Sequence, residues 1–186
     1  MSVDLNWTPS VSTSIGQIAE KRLRGTLPWD NTGFTPPNTL SSVANTTVAT
    51  GTSNFVYELR VSVLCDPFTI TAGTIVEGIE FSCDPSLINF SYQAPAGEVG
   101  VEIRDIPIDY PDIVEVRVYI YDDQYNLEHT SAPIAVTNTI IYNVPGFTPG
   151  TTHYAIIQYR ALVNGVMVES SFPIQSSPCT ITTVVL

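Results

Sequence analysis

The sequence predicts an all-β chain built as two tandem antiparallel Greek-key β-sandwiches, and three observations carry that expectation. Two runs alternate apolar and polar residues with the period of a half-buried strand. Turn-forming residues and 14 prolines punctuate the strand candidates along the whole chain. Four short segments also recur in the same order in both halves. At 186 residues the chain is long for one sandwich and suits two of about 100 residues each.

The first element to justify spans residues 14–25. Ile15, Ile18, Ala19 and Leu23 fall at helical spacing, a Ser14/Gln17 capping box precedes them, and Gly25 follows. Local preference therefore reads a short helix. Alignment with the second half reads the third strand of the first domain, and tertiary context outranks short-range propensity. The strand is the expectation.

The clearest strand runs from Phe55 to Cys65. Phe55, Tyr57, Leu59, Val61, Val63 and Cys65 share one face, and Glu58, Arg60 and Ser62 the other. The second clear run, Val114 to Tyr121, leads into a turn at Asp122–Asn126. Between them the repeat shows itself. Leu5-Asn6-Trp7-Thr8 matches Ile88-Asn89-Phe90-Ser91, and the segment from Val43 matches that from Val136. Gly51-Thr52 before Phe55 matches Gly150-Thr151 before Tyr154, and Gly73–Glu77 matches Gly165–Glu169. The offsets are 83, 93, 99 and 92 residues. Duplication with loops of unequal length accounts for them. The expected domains are 1–84 and 85–186, with the boundary near Cys83-Asp84-Pro85.

The final segment, Thr180 to Leu186, is β-prone and apolar. An uncovered strand of this kind invites aggregation. It either completes the second sandwich or joins a neighbouring subunit's sheet.

Charge bounds the partners. Eighteen acids against seven bases give −11, a field that repels phosphate, so neither nucleic acid nor an anionic membrane is expected. Lys21, Arg22 and Arg24 make one small cationic spot, read as a solvated face with a docking site as the sharper alternative. No run approaches the ~20 apolar residues of a membrane span. The opening Met-Ser-Val-Asp-Leu-Asn-Trp lacks the pattern of a secretory signal. Only 13% of residues are charged, a composition typical of β-proteins that work outside cells or in large assemblies. An extracellular-looking chain without an export signal is what a virion protein, released by lysis, should resemble.

Catalytic chemistry finds little support. A hydrolase base would have to be His129 or His153. Alternation points His153 outward, His129 follows a loop, and no nucleophile elbow accompanies either. Asp105, Asp109 and Asp112 form the densest carboxylate cluster. Prolines occupy the places where a calcium loop needs alternate ligands around a glycine. No enzyme, metal or cofactor is expected. The three cysteines are read as free thiols. A hairpin of 55–65 with 74–83 sets Cys65 and Cys83 some ~25–30 Å apart at ~3.3 Å per residue. Cys83 and Cys179 each end a last strand in this reading, a domain length apart and out of bonding range.

Contact chemistry finds more. Tyr92, Tyr110, Tyr119, Tyr121, Tyr125 and Tyr142 lie in the second half, and interfaces enrich tyrosine. Alternation with Val118 and Ile120 turns Tyr119 and Tyr121 away from the core. They form either a binding face or an outer row favoured by β structure. Tyr119, Tyr121, Tyr125, Lys21, Arg22 and Arg24 are the candidate protein or host contacts.

Val144-Pro-Gly-Phe-Thr-Pro-Gly-Thr-Thr-His-Tyr154 resembles the fibronectin type III signature, in which Pro-Gly-Thr leads to a tyrosine opening the sixth strand. The resemblance implies that Tyr154 buries its ring and returns its hydroxyl to the preceding loop, as in a tyrosine corner. Trp7 stands where that family places its second-strand core tryptophan. Phe90 is its counterpart, and Phe55 replaces the corner tyrosine in the first domain. Leu23-Arg-Gly-Thr-Leu-Pro-Trp29 is similar to the family's third-strand segment. Cys65, Gly73 and Phe81-Ser-Cys-Asp84 resemble fibronectin type III repeats of Bacteroidetes and their phages. That implies a virion component, in capsid, tail or fibre, touching other virion proteins or a host protein or glycan. The alternative it implies is a cell-surface or secreted adhesion module binding carbohydrate or protein.

Overall fold

The computed structural model describes residues 2–7, 16–35, 44–49, 51–66 and 69–186. The chain divides into two compact units, Met1–Glu80 and Phe81–Leu186. The division falls four residues before the expected boundary at 84/85, because Cys83 and Asp84 are bonded into the second unit.

The first unit contains β1 (Ser2–Trp7), β2 (Gly16–Leu23), β3 (Asp30–Thr35), β4 (Ala44–Ala49), β5 (Val56–Asp66), β6 (Thr69–Ala72) and β7 (Val76–Ile79). β1 pairs with β4 in one sheet; β3, β2 and β5 form the other, with β6 and β7 sharing the far side of β5. Residues 16–23 are thus a strand, and Ser14 and Ile15 lie outside the described residues. Strand alternation explains why the helical spacing misleads. Gln17 and Ala19 turn inward, Gln17 accepting a 2.8 Å hydrogen bond from Trp7 Nε1, while Glu20 and Arg22 face outward toward Arg60 and Glu58. Leu5 and Val48 from one sheet meet Ala19, Tyr57 and Leu59 from the other to form the core. Gly73, between β6 and β7, sits so close to the Val61 carbonyl that a Cβ there would overlap it. Gly73→Ala is expected to destabilise this unit by about 1–3 kcal/mol. Both tryptophans, Trp7 and Trp29, belong to this unit, so their fluorescence would register the loss; an unmoved midpoint would refute it.

In the second unit a 3-10 turn at Pro85–Leu87 precedes β8 (Glu98–Arg104), and a single helical turn at Ile106–Asp109 leads to β9 (Ile113–Tyr121). β10 (Leu127–Thr130), β11 (Ile134–Ala135), β12 (Thr139–Pro145), β13 (Thr152–Val163), β14 (Val166–Glu169) and β15 (Thr180–Val184) follow. β12 pairs with β8, whose other edge bridges at Ile103 to Ile88. The second sheet orders β10 and β11, then β9, then β13, then β14 and β15 end to end on one edge. The terminal segment therefore completes this sandwich. Val99, Val101 and Ile103 from the first sheet and Val116, Val118, Ile120, Ile157 and Tyr159 from the second are buried. Among the described residues no helix is long and apolar enough to cross a membrane.

Both units carry the same strand order, that of a fibronectin type III or immunoglobulin-like sandwich. With β11 left aside as having no counterpart in the first unit, the strands that correspond start at 2, 16, 30, 44, 56 and 69 in the first unit and at 98, 113, 127, 139, 152 and 166 in the second, offsets of 95–97 residues. The match of Leu5-Asn6-Trp7 with Ile88-Asn89-Phe90 therefore pairs different strands. Trp7 ends β1, whose equivalent is β8, and Phe90 is 55% exposed rather than a core residue. Thr8 and Val43, also drawn into the repeat, lie outside the described residues.

Candidate functional site

The cross-strand register places the outward side chains of the second sheet in rows. One row reads Leu127, Tyr121, Tyr154, Thr182 across β10, β9, β13 and β15. The next reads Thr130, Tyr119, Ile156, Thr180. Ile156, although on the outward face, is only 1% exposed. Toward the other end of the sheet the face becomes ionic. Arg117 reaches Glu169 at 3.0 Å, and Arg160 pairs with Glu115 and with Glu169.

Tyr125 joins this platform from the β9–β10 turn. Asp122 Oδ1 accepts from Gln124 N at 2.9 Å and Asn126 N at 2.8 Å, and Oδ2 accepts from Asn126 Nδ2 at 2.8 Å. The side-chain bond from Asn126 and the two backbone bonds hold the Asp122 carboxyl below its ordinary range. Tyr125 adopts φ 65° in this braced loop, and its ring stacks on Tyr154 with centroids 4.8 Å apart. The Tyr125 hydrogen bond is the chief cause that raises the Tyr154 hydroxyl above its usual value; burial, then Tyr119, raises that of Tyr121. The structure thus brings together Tyr119, Tyr121 and Tyr125 and adds Tyr154. Tyr92, Tyr110 and Tyr142 lie elsewhere, bonded to Asn143, Asp84 and His129.

Tyr154 is not a corner tyrosine. The parity of β13 turns Ala155 and His153 inward and leaves Tyr154 outside. His153, expected at the surface, is 5% exposed, with Nε2 2.9 Å from Thr151 Oγ1 and its ring edge-on to Phe147. In the first unit Tyr57, not Phe55, occupies the comparable place. It is buried, and its hydroxyl lies 2.8 Å from Thr52 Oγ1. Each unit thus ties an inward polar ring at the start of its long strand to the threonine of Gly-Thr. The resemblance of Tyr154 to a signature tyrosine hid this.

The cationic trio does not form one patch. Arg22 pairs with Glu58 on the outer face of β2, and Arg24 approaches Glu77 at 2.9 Å. Arg22 and Arg60 both lie over the Trp29 ring, 4.4 and 4.1 Å from its centroid. Lys21 belongs to the opposite side of the strand, opposite Leu59. Three neighbouring glutamates, Glu20, Glu58 and Glu77, balance the arginines of this face.

The thiol expectation is overturned for two cysteines. Cys83 and Cys179 form a disulfide, their Cα atoms 5.6 Å apart, and Cys65 is free and exposed. Cys83 precedes the first strand of the second unit instead of ending the last strand of the first, and Cys179 leads into β15. Asp105 stands at the N-cap of the single helical turn and Asp109 is its last residue. Among the described residues no group of three or more His, Cys, Asp or Glu is placed to hold a metal ion.

No family model matches the sequence, and no curated protein matches it. Among solved structures, the selenomethionine-substituted chicken interferon gamma receptor alpha chain is 12% identical, with TM-score 0.37, covering 99% of this chain and 92% of that one. The chicken CNTN1 FN1–FN3 domains are 8% identical, with TM-score 0.36, covering 99% of this chain and 60% of that one.

Proposed function

We propose that the chain is a non-catalytic interaction module whose second unit grips a partner protein through the tyrosine-bearing outer face of β9, β13 and β15. The observation that carries this reading is the gathering of Tyr119, Tyr121, Tyr125 and Tyr154 on one sheet face, with Tyr125 fixed by its own turn. Tyrosine offers broad apolar contact with a polar tip at small entropic cost, the chemistry enriched at protein interfaces. Tyr121 pairs across the strands with Tyr154, Tyr119 lies two residues along the same strand, and Tyr125 stacks on Tyr154 at 4.8 Å, a patch that suits a protein surface. The setting we infer is a virion surface, following the resemblance of Cys65, Gly73 and Phe81–Asp84 to phage repeats. The Cys83–Cys179 disulfide specifically favours a second reading, a cell-surface or secreted adhesion module, since such bonds persist in oxidising surroundings.

Tyr121→Ala combined with Tyr119→Ala is expected to weaken binding to the particle or envelope protein by at least about thirtyfold, the effect of losing about 2 kcal/mol at an interface centre. Surface plasmon resonance with the immobilised full chain measures it, with Tyr92→Phe as the unaffected control. Unchanged affinity in the double variant would sink the reading, as would turnover of any substrate.

A further inference from the structure

The last strand of the second unit leaves a sheet edge open. Among the described residues β15 pairs with β13 alone. Val185 N–H donates to the Thr151 carbonyl at 3.0 Å, and the Cys179 carbonyl accepts from Ile157 N–H at 3.4 Å, so odd-numbered residues serve β13. Thr182 and Val184 therefore direct their N–H and C=O groups away from β13, and among the described residues no backbone group meets them there. Thr180 offers its carbonyl on the same side, its N–H being taken by the Ser177 carbonyl.

Open edges are ordinarily blunted by charge, proline or a bulge. The opposite edge of this sheet has all three: Glu128 and a bulge between Leu127 and His129 in β10, and Pro133 before β11. β15 reads Thr-Ile-Thr-Thr-Val and has none of them. Beside it lies a cavity of about 230 Å³ with no charged side chain in its lining, where Phe90, Val184 and Leu186 are each more than half exposed. The unit as a whole is strongly acidic, with eleven acids against three arginines and no lysine, a net charge of −8.

Unpaired backbone groups on alternate residues are met by an extended chain. The flanking side chains require that chain to be uncharged and partly apolar. β15 itself has that composition, and along this edge two acidic units meet with no side-chain carboxylate opposed. Full overlap of two antiparallel copies of β15 centres on Thr182, the middle residue of Thr180–Val184, whose N–H and C=O both point to the open side. Register and hydrogen bonding thus agree on one two-fold arrangement.

We propose that β15 pairs antiparallel with β15 of a second copy of this chain. The two Thr182 residues exchange N–H···O=C bonds, and each Val184 N–H reaches the Thr180 carbonyl of the other copy. Thr182 stands in the row of Tyr121 and Tyr154, so the tyrosine faces of the two copies join as one surface. The pairing does not depend on what those tyrosines bind.

Sedimentation equilibrium of the full chain from micromolar to millimolar concentration, at ~0.15 M salt to screen the net charge, is expected to show a reversible monomer–dimer step. Hydrogen exchange of the Thr182 and Val184 amides should slow as the dimer fills. Thr182→Pro removes only an N–H on the open side, which an edge strand tolerates, and should weaken association at least tenfold. If that variant does not fold, Thr182→Asp sets two carboxylates opposite each other across the two-fold axis and should weaken it likewise. Ile141→Asp, at an exposed position on the other sheet, should leave it unchanged. A chain monomeric throughout, a dimer whose Thr182 and Val184 amides exchange as in the monomer, or one indifferent to both Thr182 variants would overturn the proposal. Equal loss with Ile141→Asp, the mark of general apolar association, would do so too.

Discussion

Replacing Cys83 and Cys179 together by alanine is expected to lower the unfolding free energy of the second unit by about 2–5 kcal/mol. The bond joins residues 96 apart in sequence, and closing a loop of roughly that length restricts the unfolded chain by about 4–5 kcal/mol in the chain-entropy account. Native geometry is not lost with it. Cys179 has no exposed surface, so alanine is the right replacement; serine would bury an unsatisfied hydroxyl and confound the measurement. The two units report separately. Tryptophan fluorescence follows only the first, because the second has tyrosine but no tryptophan. Urea unfolding followed by circular dichroism should show the early loss of one transition while the fluorescence transition stays in place. Cys65→Ser, at an exposed free thiol, should move neither. If three thiols alkylate in the native chain without reductant, the bond is absent and the expectation fails.

That bond was illegible in the sequence for a physical reason. The residues after Ile79 read as the close of the first sandwich, which set Cys83 a domain length from Cys179. In the structure Asp84 caps the 3-10 turn through Ser86 N and accepts from the Tyr110 hydroxyl at 2.8 Å, so the segment opens the second sandwich. One shift of a boundary by a few residues turned a forbidden distance into a bonded one. Strand identity was far more legible. The period-two runs at 55–65 and 114–121 became β5 and β9, and the inward set Val116, Val118 and Ile120 is buried as alternation requires. The outward placing of Tyr119 and Tyr121 follows from the same rule.

Parity after a turn is where sequence reasoning failed. A single-residue slip exchanges the two faces of a strand, and the turn before β13 decides which of His153 and Tyr154 enters the core. Gly150 at φ 84° and the Thr151 Oγ1 bond back to the Thr148 carbonyl fix that entry. Neither is visible as a pattern. The stacking of Tyr125 on Tyr154 was equally hidden, because it depends on the conformation of a five-residue turn and on the neighbouring strand at once.

Tyr159 is the residue whose truncation should injure the second unit most through packing alone. It is 1% exposed, the largest of the fully buried side chains, and meets Phe172 edge-on with centroids 5.8 Å apart. Tyr159→Ala is expected to cost about 3–5 kcal/mol, as for other large aromatic truncations in cores. Tyr159→Phe keeps the ring and removes only the hydroxyl, which lies 3.9 Å from Cys179 Sγ, so its cost should be near ~1 kcal/mol. The hydroxyl also sets a pH dependence whose sign is definite. Burial is the main cause raising the Tyr159 hydroxyl well above its ordinary value, which is about 10. The folded state therefore keeps the proton that the unfolded chain releases. Its stability is intact below pH ~10 and declines as the pH rises beyond that value. Urea midpoints measured from pH ~8 to ~12 should fall less steeply in Tyr159→Phe than in the parent chain. Parallel curves would mean that the hydroxyl ionises as readily in the folded state as in water, and that the ring does not sit sealed beside the disulfide.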